Sequence, residues 1–207
     1  IRGKYTTKDF DIEDLNKNPF KQFEIWFNDA INEKLLEPNA FCLSTVGSDM
    51  MPSIRTVLLK YFDNEGFVFF TNYESKKAKQ IEQNPKVAAL FTWLELERQI
   101  KIEANIEKIS KTDSLKYFLS RPKGSQMGAW VSRQSETISS RALLEQKFDE
   151  MKRKFLNKEI PFPSFWGGYV LKPIRIEFWQ GGEDRLHDRF LYELQKNGDW
   201  TISRLAP

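Results

Sequence analysis

The stretch Trp179-Gln-Gly-Gly-Glu-Asp-Arg185-Leu-His187-Asp-Arg189 holds the only histidine of the 207-residue chain, two arginines four apart, an indole and a Gly-Gly pair. Arginine and aspartate are rarely buried without partners, so core packing explains this segment poorly. Two readings stand: a charged loop solvated by its own ions, and a site for a planar anion. Three further groups bear on the choice. Arg55 and Lys60 lie five apart in one strand-like run. In a straight strand they face opposite sides, so either a bulge intervenes or they serve two anions. Thr71, Ser75, Lys76 and Lys77 surround an expected helix start, where free amides and lysines suit a phosphate. Tyr117, Arg121 and Ser125 are spaced by four and, in a helical run, would offer two hydroxyls and a guanidinium fork to one oxyanion. Alternation over Ile174–Trp179 places Trp179 with Arg175 and Glu177, away from Ile176 and Phe178.

Other chemistry is excluded. The chain has no G-x-G-x-x-G or phosphate-binding P-loop pattern, and no H-E-x-x-H or G-x-S-x-G. One cysteine, Cys42, and one histidine allow neither an internal disulfide nor a Cys/His metal cluster, and Cys42 reads as a small buried hydrophobe. A net charge of +3 permits an anionic ligand without demanding nucleic acid. No apolar run approaches the roughly 20 residues of a membrane span, and no signal-peptide pattern opens the sequence. The expected location is cytoplasmic.

The elements that must position these groups follow from periodicity. Residues 1–17 read as a polar N-terminal arm, and 18–207 as a single domain. Asn18-Pro19 begins a helix carrying Phe20, Phe23, Phe27, Ala30 and Ile31. Strands are expected over 40–46, 52–62, 67–71, 86–93 and 100–107, with a short helix over 76–83 capped by Ser75. A helix covers 112–120, and a Gly/Ser-bearing segment runs from Lys123 to Ser135. A long helix to about 156 carries a stripe of Leu144, Phe148, Met151 and Phe155, read as core packing. Strands over 167–172, 174–180 and 189–196 follow, and Asn197-Gly198 turns the chain into 199–205. About eight strands without βαβ alternation predict an antiparallel barrel with flanking helices, an α+β protein that is mainly β.

At this point the motifs resemble one family. Arg55-Thr-Val-Leu-Leu-Lys60, Phe70-Thr71-Asn72 with Ser75-Lys76-Lys77, Leu96-Glu97-Arg98-Gln99, Tyr117 through Ser132, Phe165-Trp-Gly-Gly168, Glu177 through Arg189, and Arg204-Leu-Ala-Pro207 are similar, in order, to pyridoxamine 5′-phosphate oxidases. The resemblance implies a split β-barrel homodimer with FMN between subunits. It implies oxidation of pyridoxamine 5′-phosphate or pyridoxine 5′-phosphate to pyridoxal 5′-phosphate, with O2 as acceptor. It assigns FMN contacts to Arg55, Thr56, Val57, Leu58, Lys60, Phe70, Thr71, Ser75, Lys76, Lys77, Gln99, Gln134, Ser135, Trp179 and Arg189. It assigns substrate contacts to Arg2, Tyr5, Lys60, Tyr117, Arg121, Ser125, Arg185 and His187, with Arg185, His187 and Arg189 as the catalytic set. Lys76 stands where arginine is common in the family, which keeps the charge but loses the bidentate fork. Phe70 stands where tyrosine also occurs, so a backbone contribution is expected of it.

Two rivals remain open on sequence alone. One is another FMN oxidoreductase on the same barrel, which fold cannot separate. The other is a nucleic-acid-binding sheet, suggested by Gly66-Phe-Val-Phe-Phe70. The arginines form no stripe, which argues against the second.

Overall fold

A computed structural model describes residues 10–131, 134–156 and 158–207. Helix α1 (Pro19–Asn32) starts as expected, with the Asn18 side chain accepting from the amides of Phe20 and Lys21. Strands β1 (Ala40–Val46), β2 (Pro52–Leu58), β3 (Tyr61–Asp63) and β4 (Gly66–Asn72) follow. Then come α2 (Lys76–Gln83), β5 (Lys86–Trp93), β6 (Arg98–Lys108), α3 (Lys111–Ser120), α4 (Lys123–Val131) and α5 (Arg141–Lys154). The chain ends in β7 (Trp166–Gln180), β8 (Asp188–Leu194) and β9 (Trp200–Arg204).

All pairings are antiparallel, in the order β2-β1-β5-β6-β7-β4-β3. Leu59 and Lys60 join the two ends of that order; the Leu59 amide donates to Asn39 O and the Lys60 amide to Val68 O. One edge of the long β7 pairs with β6. Its other edge is shared: the first part takes β4 and the last part takes β8, which carries β9. This is the expected split barrel.

The core follows from alternation. Ile100, Ile102 and Ala104 on β6, with Ile176 and Phe178 on β7, are buried beneath Phe23 and Trp26 of α1. Phe23 is fully buried and touches Phe62, Phe67 and Phe91 edge-on at centroid distances of 4.8, 4.8 and 5.1 Å. Such contacts add to the area term. A second cluster, Phe118, Ile160 and Trp166, lies under α3 and α4.

Five expectations change. The run 52–62 is two strands, because the chain crosses from β2 to β3 at Leu59-Lys60. The Gly/Ser segment after Lys123 is helix α4. The two strands placed either side of Pro173 are one; Pro173 sits at a register shift opposite Glu103/Ala104, a place where a missing amide does no harm. The stripe on α5 is not core. No residue of α5 is buried, because the helix packs chiefly on α4 at the rim. Within the expected arm, Phe10 and Leu15 pack against the core. The Phe10 ring lies 5.1 Å from Trp26 and 5.4 Å from Phe190, and Asn16 O accepts from Tyr192 Oη at 2.7 Å. Arg2 and Tyr5 lie outside the described residues.

Phe23 is the centre of this packing, so Phe23→Ala should lower unfolding free energy by about 3–5 kcal/mol. Urea denaturation checks this; a loss under about 1 kcal/mol would mean that Phe23 is not central to the core.

Candidate functional site

Two adjoining clefts collect one half of the expected residues. The first, of about 720 Å³, is lined by Arg55, Thr56, Val57, Leu58, Lys60, Phe70, Thr71, Lys76, Lys77, Gln134 and Ser135 among others. The second, of about 550 Å³, shares Lys60, Phe70, Thr71 and Gln134 with it and adds Tyr117, Arg121, Ser125 and Trp166. The strand break before Lys60 resolves the question of facing. Arg55 and Lys60 line one cleft because they sit on either side of that break.

The first cleft is built around a buried cation, Lys77, and a half-buried one, Arg55. Lys77 Nζ donates to Thr71 Oγ1 at 3.0 Å, Gln134 Oε1 at 2.8 Å and Ser75 Oγ at 3.4 Å. Arg55 Nη1 donates to Leu43 O at 3.1 Å and Thr45 Oγ1 at 2.6 Å. These acceptors are all neutral. Burial pushes the Arg55 pKa down, and burial reinforced by Arg55 brings Lys77 down to about 8. A cation held this way favours an anionic ligand. Ser75 itself does not line the cleft. It is fully buried, its Oγ donates to Asn72 O at 2.7 Å, and it caps α2. Its place in the site is to fix the turn that aims Lys77. Lys76 reaches the rim, where its amide donates to Ser135 Oγ at 3.3 Å.

The second cleft unites Tyr117, Arg121 and Ser125, though not through one helix. Pro122 ends α3, Arg121 is extended (φ −75°, ψ 148°), and α4 restarts at Lys123. The Arg121 guanidinium lies 4.6 Å over the Trp166 ring, a cation–π contact. Its Nη1 is buried without a hydrogen-bond partner among the described residues. Burial lowers the Arg121 pKa, opposed by Tyr117; burial raises that of Tyr117, opposed by Arg121. Phe70 contributes more than backbone here. Its ring stacks at 3.8 Å on Tyr117 and at 5.3 Å on Trp166. Trp166 was not among the expected site residues.

The other half lies elsewhere on the chain. Gln99, Trp179 and Arg189 are direct neighbours across β6, β7 and β8, on the face opposite Ile100, Phe178 and Phe190. The His187 ring lies 4.6 Å from Trp179 at 44°. Between them the chain makes a tight turn in which Asp184 (φ 52°) and Arg185 (φ 66°) are both left-handed, a conformation that costs non-glycine residues energy and is typical of functional sites. Arg189 donates from Nε and Nη2 to Glu177 Oε1 at 2.8 Å and from Nη1 to Ala206 O at 2.8 Å. Glu177 also takes Lys101 at 2.8 Å. Burial raises the Glu177 pKa, but its bonds to Lys101 and Arg189 outweigh that and hold it below the usual range. Glu177 and the Asp188–Arg204–Asp11 ion pairs were not read as site residues. Strand alternation did place Glu177 beside Trp179, and that was the available signal.

Neither cleft includes Gln99, Trp179, Arg185, His187 or Arg189. Thr71 pairs with Gly167 at one end of β7 and Gln99 with Trp179 at the other, twelve residues on. A straight strand of that length runs about 40 Å. The cleft residues and the group around Trp179, His187 and Arg189 thus lie toward opposite ends of β7.

Comparison with known proteins identifies the family. Residues 27–155 match the family described as pyridoxamine 5′-phosphate oxidase, and residues 166–207 match the pyridoxine 5′-phosphate oxidase C-terminal dimerisation region. Pyridoxine/pyridoxamine 5′-phosphate oxidases of Aliarcobacter butzleri and Rippkaea orientalis are 75% and 60% identical, each covering 100% of this chain and 98% of the relative. PhzG of Burkholderia lata 383, solved with tetrahydrophenazine-1-carboxylic acid, is 27% identical with a TM-score of 0.92 over 99% of this chain and all of that one. A pyridoxamine 5′-phosphate oxidase-related, FMN-binding protein of Nostoc punctiforme has the same fold at 16% identity, with a TM-score of 0.75 over 93% of this chain and all of that one. With its split barrel and matches spanning both parts of the chain, this protein belongs to the pyridoxamine 5′-phosphate oxidase family.

Proposed function

We propose that the chain acts as an FMN-bearing homodimer that oxidises pyridoxine 5′-phosphate and pyridoxamine 5′-phosphate to pyridoxal 5′-phosphate. O2 is the acceptor, giving H2O2, and the amine also releases ammonia. The observation that carries this reading is the pair of adjoining cationic seats. Among the described residues, one, around Arg55 and Lys77, has only neutral acceptors on its cations, and the other, around Arg121, has a buried donor with no partner. Two anionic groups a short distance apart suit the phosphates of a cofactor and a substrate. Sequence similarity to oxidases of that name supports the same substrates.

The residues divide the work. Arg55, Lys77 and Thr71 hold the FMN phosphate, with Lys76 and Ser135 at its edge. Lys60, Tyr117, Arg121 and Ser125 hold the substrate phosphate. FMN, when bound, supplies the two-electron redox chemistry. Binding the substrate by a phosphate remote from its reacting carbon fixes the approach of that carbon. Trp179 and Arg189 meet the flavin from the second half-site, and Glu177 holds the Arg189 fork in place. Arg185 and His187 orient the substrate ring. The cleft residues and the group around Trp179, twelve residues apart along β7, are half-sites that two copies bring together to complete each site.

A spectrum tests the class. Pyridoxine 5′-phosphate added without oxygen should bleach the flavin band of the purified protein, and air should restore it. Equal bleaching by unphosphorylated pyridoxine would contradict the role of the Arg121 seat.

Lys77 sets a pH dependence. Its pKa falls from 10.5 to about 8 in the folded chain. Between those values the unfolded chain holds more protons, so without ligand stability rises with pH across that window. A bound phosphate favours the charged amine and draws the proton back. FMN affinity should therefore be flat near pH 7 and fall above pH 8, by at most about tenfold per pH unit. Fluorescence titration measures it. Lys77→Met should bind more weakly and lose the slope; the same slope in that variant would assign it to another group.

A further inference from the structure

The half-site around His187 raises a question that the family match leaves open: whether this imidazole accepts a proton or donates one in a hydrogen bond. The Gly182 amide donates to His187 Nδ1 at 3.2 Å. A neutral imidazole has one protonated nitrogen and one with a lone pair. A backbone N–H has no lone pair to offer, so Nδ1 must be the acceptor nitrogen and the proton must sit on Nε2. The hydrogen bond at one ring nitrogen fixes the state of the other.

The turn is shaped to make that bond. A Cβ added at Gly182 would lie 2.2 Å from Leu186 O and 3.6 Å from His187 Cα. Gly182 has ordinary extended backbone (φ −129°, ψ 156°), so glycine is required there by the close approach and not by the dihedral angles. The left-handed Asp184 and Arg185 and the Leu186 amide bond to Glu183 O at 2.9 Å fold the chain back onto Gly182. Two unfavourable residues and a glycine thus serve one contact. The adjacent Trp179 ring borders the imidazole on one side.

We propose that Gly182 is a positioning residue that locks His187 as the Nε2–H tautomer, so that His187 works as a hydrogen-bond donor to an acceptor atom of the bound substrate ring and not as a base. Nε2 in this form has no lone pair with which to take a proton. A proton can arrive only at Nδ1, and only by giving up the Gly182 bond. The donor role rests on the oxidase reading above; the tautomer does not.

The chain has a single histidine, so its ring nitrogens can be read without assignment. The experiment is a long-range proton–nitrogen correlation spectrum of the FMN-loaded dimer, labelled with 15N histidine, at about pH 8, above the ordinary histidine pKa. The expected pattern is a pyridine-like Nδ1 and a pyrrole-like Nε2. Gly182→Ala, whose flavin absorbance confirms that FMN stays bound, should shift the pattern toward a tautomer mixture and cut turnover by about tenfold or more, the scale of one lost hydrogen bond. An Nδ1–H ring, an averaged mixture or an imidazolium in the unmodified protein would overturn the proposal. So would an unchanged pattern in Gly182→Ala. If the Nε2–H pattern is found but pyridoxine 5′-phosphate does not bleach the flavin, the tautomer stands and the oxidase reading fails.

Discussion

Partial burial of positive charge without a carboxylate partner among the described residues is the constraint around which this chain is built. Arg55, Lys77 and Arg121 all have pKa values lowered by desolvation. An ammonium or guanidinium out of water is costly unless something compensates it. For Arg55 and Lys77 the described residues offer only hydroxyls, an amide and a carbonyl. For Arg121 they offer the face of Trp166. These partners orient the cations without neutralising them, which suits the phosphate proposed to bind there. Much of the nearby fold serves that orientation. Ser75 turns α2 so that Lys77 points inward. Thr45 accepts from Arg55 and is itself tied to Gln80 at 2.7 Å. Phe70 and Trp166 hold Tyr117 flat beside Arg121.

The barrel sets the second constraint. β7 reaches from Trp166, which lines the second cleft, to Trp179 near its other end, with Glu177 and Lys101 steadying Arg189 on the outer face. The strand passes Pro173 without ending, because the register shift opposite Glu103/Ala104 accommodates it. On the reading proposed above, an element of that length separates the two groups within a chain and leaves each to be completed by a second copy.

Much of this was legible in the sequence where local physics decides. Asn18-Pro19 and Ser75 gave helix starts, and Ile100-Ile102-Ala104-Ile106 gave a half-buried strand. Motif order gave the family and its fold. The failures have tertiary causes. Helix α4 carries Gly124 and Gly128, which weaken its local signal, yet it forms beside α3 and α5. The stripe of α5 has helical spacing, but period cannot say whether a face meets the core or the rim. The joint use of Arg55 and Lys60 depended on a strand break that alternation does not announce. Gln134 and Ser135 were expected to touch FMN; that Gln134 also ties Lys77 to Thr71 is visible only in three dimensions.

Each site, on this reading, takes its phosphate seats from one copy and its Arg185–His187 loop from another. Mixed dimers test that division most directly. Arg121→Ala and Arg185→Ala proteins, each inactive alone, are unfolded together, refolded and assayed. If sites are shared between copies, half the dimers are hybrids and each has one intact site, so about a quarter of the unmodified turnover returns. If refolded mixtures contain hybrid dimers and remain inactive, each chain completes its own site and the shared-site account is wrong.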